Sequence, residues 1–405
     1  MQSILKKISF FLPMYVFALL CGCWFQNSMY AACPGPIVPK TVTPGETITN
    51  ILDRVQTSLC ADVVIYQEDI PYTITKPGAY KLGEFITNNS DTPAITIASN
   101  DVLLDLGCHG INQVKSAGVV TRSAIFANGF NRITIRNGGI LMSGPLTSAV
   151  TNGINLQSGE GFLLYDLFIS GQNLDGQCVS IFNSIHVELN NIFMQDVNTG
   201  IVFDVVEGFR LYSCYVTHTG TGYLFLATQD GTCTYCVVTD AIVTLAGNPG
   251  GPGFNIGNGA TQPQGIYFDS CTAESINTTG FLVNGTIASL ALDIVFRNCT
   301  AISCGTDGFS AINSQRTTFE YCQAQHCGLT LATGNGFTVI NDGVAANIIN
   351  CSSIRNANHG YSVTGSTNVF SSYGSNNPGG NFNGVNPLFI AITPVGANYW
   401  LNLSV

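Results

Sequence analysis

Fifteen cysteines give this sequence of 405 residues its densest soft-ligand and redox chemistry. Cys214, Cys236, Cys271, Cys299, Cys322 and Cys351 hold equivalent places in successive phrases, each followed two residues on by Val, Ala or Ser. Cys304 and Cys327 recur five residues after Cys299 and Cys322. Such a set could form disulfides in an oxidising compartment or pack as small buried hydrophobes. Geometry separates the two. Residues stacked on neighbouring parallel strands hold their Cβ atoms near the strand spacing of about 4.8 Å, whereas a disulfide wants roughly 3.5–4.5 Å and converging vectors. The stacked cysteines are therefore expected to be free and buried, with Cys33 and Cys60 the candidates for a bridge. Cys233-Thr234-Tyr235-Cys236 has redox or zinc spacing. A four-ligand zinc site needs a second pair, however, and residues three apart on a strand point to opposite faces. No metal and no cofactor is expected.

The proton-transfer groups are sparse. His218 and His326 each lie four residues after a stacked cysteine, in a column with Ser275, Ser303 and Arg355. Asp307, Asn335 and His359 share another column with Thr221 and Thr279, and form the candidate line for contacts to a ligand. The plainer reading is that corners of a repeat are polar anyway, because nothing in these columns converges on one point. Asp269 with Glu274, or Asp307 with Asp342, are carboxylates that folding could bring together; the sequence leaves that open. Asn298 and Asn350, each before a stacked cysteine, suit a left-handed corner.

The elements that position these residues follow from one phrase, Gly280-Phe281-Leu282-Val283, which returns as Gly308-Phe309-Ser310-Ala311, Gly336-Phe337-Thr338-Val339 and Gly360-Tyr361-Ser362-Val363. Phrases ending in cysteine alternate with it: Phe296-Arg297-Asn298-Cys299, Phe319-Glu320-Tyr321-Cys322 and Ile348-Ile349-Asn350-Cys351. Two alternating phrases at a period of 24 to 28 residues describe a solenoid. The glycine is expected to serve a corner of positive φ and close stacking of coils. Period-two alternation then sends Ile201, Tyr223, Phe254, Phe281, Phe309, Phe337 and Tyr361 inward as one column. Phe203, Phe225, Ile256, Val283, Ala311, Val339 and Val363 form the next, and Ser310, Thr338 and Ser362 face out. Parallel strands joined by right-handed crossovers, stacked over some ten to twelve coils, make a rod roughly 50 Å long.

Charged residues are only 9% of the chain, net charge is -10 and the pI about 4.8. That balance argues against nucleic acid, whose phosphates want a basic surface. At 45% hydrophobic, the chain can still fill a core.

Residues 1–32 read as an export leader, with Lys6 and Lys7 before an apolar run and Ala31-Ala32 after it. Leu20-Cys21-Gly22-Cys23 also resembles a lipoprotein box, so a lipid anchor at Cys23 is the one route to a membrane. Residues 33–71 form an N-terminal cap segment, in which Thr43-Pro44-Gly45-Glu46 has the form of a capping box opening a helix over 44–59. Coils are expected over 72–370 and a C-terminal cap over 371–405, where Ser371–Asn386 reads as irregular. Ala246–Pro263 reads as a loop.

Ile74-Thr75-Lys76-Pro77-Gly78-Ala79-Tyr80, Ala94-Ile95-Thr96-Ile97, Val102-Leu103-Leu104-Asp105-Leu106 and Asn131-Arg132-Ile133-Thr134-Ile135 resemble the first coils of right-handed parallel β-helix proteins of the pectin-lyase-like superfamily. The resemblance implies an all-β, single-stranded right-handed parallel β-helix. Enzymes of that superfamily carry Asn-x-Asp, Asp-Asp, Gly-His-Gly or Arg-x-Lys; here Thr306-Asp307-Gly308 matches the first only loosely, and the others are missing. The expected function is an exported or surface β-helix that binds glycans or other surfaces without catalysis. A polysaccharide lyase or glycoside hydrolase with a diverged site is the alternative, and the catalytic residues stay unassigned.

Overall fold

A computed structural model describes residues 63–114, 122–143, 151–171, 176–241, 250–257, 262–285, 290–328, 334–340, 346–384 and 388–390. The leader, the helix over 44–59, Cys23, Cys33, Cys60 and residues 391–405 lie outside the described residues.

Apart from the 3-10 turn Gln67–Asp69, the regular elements of the described residues are all β, forming a parallel solenoid of about 11 turns. Each coil contributes three short strands, so three sheets run along it. The first side carries the glycine phrase: Phe254–Gly257, Phe281–Asn284, Phe309–Ile312, Phe337–Ile340 and His359–Thr364 pair in parallel and in register. The second side stacks Gln264–Asp269, Val295–Arg297, Thr318–Glu320 and Ala346–Ile349. The third stacks Val237–Thr239, Thr272–Glu274, Thr300–Ile302, Gln323–Gln325, Ser352–Ile354 and Tyr373–Ser375.

The core is written by the alternation. The column from Tyr223 through Tyr361 is fully buried. Its rings stack face to face at 4.6–5.1 Å, the spacing of the strands that carry them. From the second side, Phe268, Phe296 and Phe319 form another stack at 4.9 and 5.2 Å, set edge-on to the first at about 5.6 Å and 72°. Stacking within columns and edge contact between them are the two ring geometries the aromatic quadrupole favours.

Three expectations need correction. The glycines of the repeat do not adopt positive φ; a Cβ on Gly280, Gly308 or Gly336 would instead fall 2.7–2.8 Å from the carbonyl oxygen of the next glycine in the column. Their role is close stacking alone. The left-handed corners fall on residues with side chains, such as Ser270, Asn298, Tyr321 and Asn350 at φ 52–55° before the stacked cysteines. Ser310 and Thr338 lie in the outward row yet are buried, at 2% and 8% exposure. Ser310 sits in register between the larger Leu282 and Thr338, and Thr338 Oγ1 accepts from Asn335 Nδ2 at 3.0 Å. Finally, the stretch Ala246–Pro263 contains the paired strand Phe254–Gly257, and Ser371–Asn386 contains Tyr373–Ser375 and Gly380–Gly384, so neither is irregular throughout.

Candidate functional site

The stacked cysteines line the interior at the junction of the second and third sides. Eleven cysteines are described, and the ten other than Cys108 are free and buried. Burial pushes the thiols of Cys178 and Cys233 well above their ordinary range, which leaves them poor nucleophiles. Cys233 and Cys236 both point inward, contrary to the strand rule, because Tyr235 between them takes φ 53° and turns the chain. No group of three or more His, Cys, Asp or Glu that could hold a metal occurs among the described residues.

Asp307, Asn335 and His359 are brought together on successive coils. Asp307 Oδ1 accepts the backbone N–H of Asn335 at 2.7 Å, and Asn335 Oδ1 accepts that of His359 at 3.1 Å. Burial raises the Asp307 carboxyl above its ordinary range, against the opposing bonds from the Asn335 amide and the Thr338 hydroxyl. His218, Ser275, Ser303, His326 and Arg355 all occupy left-handed corners at φ 46–55°, one per coil. Asp269 and Glu274 close strands on different sides, across the corner at Ser270; Asp342 lies outside the described residues.

A concave site that the sequence did not reveal opens elsewhere, along the corner between the first and second sides. It is a groove of about 410 Å³ crossing five coils, lined by Asn131, Ser158, Glu160, Asn183, Glu207 and Gln229 among others. Each coil reaches this corner through a left-handed residue: Ser158, Asn183, Val205 and Ala227 have φ 48–56°. A β-branched residue is rare there, so Val205 is held by the coils around it. The polar groups are partly tied. Asn131 Oδ1 accepts the Glu160 N–H at 2.9 Å, Asn183 Nδ2 donates to Ser158 Oγ at 3.4 Å, and His186 Nδ1 lies 3.1 Å from Glu160 Oε1. Glu160 pairs with Ile185, and His186 abuts Gly208 on the next coil, so Glu160 and Glu207 stand two coils apart. That is roughly 9.6 Å along the stack. Both are exposed. The only available signal was a short polar phrase at one-coil spacing, Ser158-Gly159-Glu160, Asn183-Ser184-Ile185, Val205-Val206-Glu207, too varied to read as a column.

These features define the class: a single-stranded right-handed parallel β-helix with a polar corner groove. No family model and no curated protein matches the chain. Solved structures with a similar fold include the endo-xylogalacturonan hydrolase from Aspergillus tubingensis, at 10% identity over 70% of this chain and 90% of that one, TM-score 0.45. The periplasmic alginate epimerase AlgG matches at 10% identity over 82% of each chain, TM-score 0.43. The catalytic domain of a GH87 alpha-1,3-glucanase in complex with nigerose matches at 11% identity over 91% and 70%, TM-score 0.36. These neighbours are pectin-lyase-like right-handed parallel β-helix proteins.

Proposed function

We propose that this chain is an exported or surface β-helix protein that binds a glycan along its corner groove without turning it over. The observation that carries the reading is the lining of the groove. Amides from Asn131, Asn183 and Gln229, hydroxyls from Ser158 and Ser184, and two carboxylates meet in a volume suited to a small saccharide. Hydroxyl-rich ligands are held by such paired donors and acceptors. Within the same reading, the line Asp307, Asn335 and His359 contributes the His359 ring, since the other two side chains are taken up by the coils. The acidic balance disfavours nucleic acid; an anchor at Cys23 is the proposed membrane link.

A hydrolase is the second reading, because Glu160 and Glu207 line one groove two coil steps apart, roughly 9.6 Å, just above the roughly 6.5–9.5 Å between the two carboxylates of an inverting mechanism. Binding is preferred because both side chains are exposed, whereas a general acid is made by burial. The test incubates the full chain with neutral, uronic and amino-sugar oligosaccharides and records retention together with new reducing or unsaturated ends. Retention without product is expected. Steady product that disappears in both Glu160→Gln and Glu207→Gln would replace the binder with an enzyme.

A further inference from the structure

The carboxylates at the corner groove outnumber the cations free to answer them. Each coil meets the corner with one residue before its left-handed position and another two residues after it: Gln157 and Glu160, Phe182 and Ile185, Asp204 and Glu207, Leu226 and Gln229. On the first side Gln157 pairs with Phe182 and Asp204 with Leu226; on the second, Glu160 pairs with Ile185 and Glu207 with Gln229. An apolar layer, Phe182 and Ile185, therefore separates two layers that carry acid, and Phe182, Ile185 and Val205 are all exposed. No Lys, Arg or His belongs to the groove lining. The nearby cations are committed elsewhere: the Arg132 fork holds both carboxylate oxygens of Asp101, at 2.5 and 2.9 Å, and His186 lies against Glu160 at 3.1 Å. Arg210 lies three residues beyond Glu207, on the second side, in register with Thr232. Glu207 has neither a hydrogen bond nor an ion pair among the described residues, and residues 258–261, which follow the first-side strand of the next coil, include nothing ionisable.

We infer that the groove selects a cationic amino sugar, a hexosamine carrying a free protonated amine, with Glu207 as the counter-charge for its ammonium group. The inference rests on the glycan reading of the groove and narrows its ligand class. A uronic sugar would bring a carboxylate to a lining that has two of its own and no cation to spare, and like charges in a concave site repel. A neutral sugar laid over Glu207 would strip water from an unpaired carboxylate and give nothing back for its charge, which costs binding. An ammonium group offsets that loss, because it donates charge-assisted hydrogen bonds to the carboxylate it covers. Asp204 adds to the same effect. Burial raises its carboxyl above the ordinary range, and a cation beside it favours the ionised form again. The remaining features suit the rest of the ring: exposed Ile185 and Val205 for its C–H face, and the amides of Asn183 and Gln229 for its hydroxyls.

The test compares hexamers of one length by calorimetric titration at about pH 6, where amines are protonated and the glutamates ionised: glucosamine hexamer, its N-acetylated form chitohexaose, cellohexaose and a galacturonate hexamer. The proteins are the full chain, Glu207→Gln, and Glu274→Gln on the third side, which removes the same charge away from the groove. Glu207 is exposed, so its amide variant should fold. The glucosamine hexamer should bind the full chain about tenfold or more tighter than each of the others. Glu207→Gln should remove most of that preference and Glu274→Gln should keep it. Equal affinity for the free and acetylated amines, or a preference for the neutral or uronic hexamer, would overturn the amino-sugar inference and leave the glycan reading standing. A preference that survives Glu207→Gln, or falls equally in Glu274→Gln, would mean that the chain's overall negative charge attracts the polycation, and would overturn the inference as well. Binding of none of the four hexamers would overturn the glycan reading and the inference together.

Discussion

Asp307 reaches across one coil to hold Asn335: its Oδ1 accepts the Asn335 backbone N–H at 2.7 Å, and Asn335 repeats the contact on His359 at 3.1 Å. The corner of three successive coils is therefore pinned by side chains that stand in for a strand's own acceptors, and the first of them is a carboxylate held above its ordinary pKa by burial.

A raised carboxylate pKa has a definite sign. The folded state binds the proton more tightly than the unfolded one, so the contribution of Asp307 to stability is full at pH below its ordinary value and declines as pH rises through the folded value. Asp307→Asn keeps an acceptor and removes the charge; chemical denaturation across pH 3.5 to 7 should show a smaller decline than in the parent. Asp307→Ala, which orphans the Asn335 amide, should cost about 1–3 kcal/mol. A parent and Asn variant with the same pH profile would count against the buried-charge account.

Removing one ring from the aromatic column should be felt strongly. Phe309 is fully buried between Phe281 and Phe337, and Phe309→Ala should destabilise by about 3–5 kcal/mol. Ser362, in the outward row, should tolerate Ala within about 0.5 kcal/mol. Equal losses in thermal or urea unfolding would mean the inward column is misassigned.

Thiol titration reads the cysteine columns. Ten of the eleven described cysteines are free and buried, so few groups should react in the native protein and at least ten after denaturation without reductant. A count near zero in denaturant would mean the columns are bridged.

Glycine and corner residues should respond in opposite ways. Gly308→Ala drives a Cβ to 2.8 Å from the Gly336 carbonyl oxygen and should cost about 1–3 kcal/mol through overpacking. Ser270→Gly, at φ 55°, trades the left-handed penalty for chain entropy and should change stability by less than about 1 kcal/mol. A harmless Gly308→Ala would show that the coils can move apart.

Much of the fold was legible because each coil repeats its own inward pattern. Phe281, Phe309 and Phe337 could be stacked on paper, since a fixed period and strict alternation leave little freedom in which face is buried. The stacked cysteines could be judged free from strand spacing alone. The misreadings came where a local rule met a neighbour. Cys233 shares the interior with Cys236 because the left-handed Tyr235 between them resets the alternation. Ser310 was covered because burial of an outward side chain depends on the size of those above and below it.

The sequence by itself determined the coil period, the interior columns and the poverty of charge, because these are properties of each repeat taken alone. Only the tertiary structure decided what shares an outward row. Coils differ in length, so a residue's neighbour along the stack depends on the turns and insertions between them, and no pattern within one coil encodes it. Glu160, two coils from Glu207 across a common groove, takes that place only once those lengths have been spent and the strands have come into register.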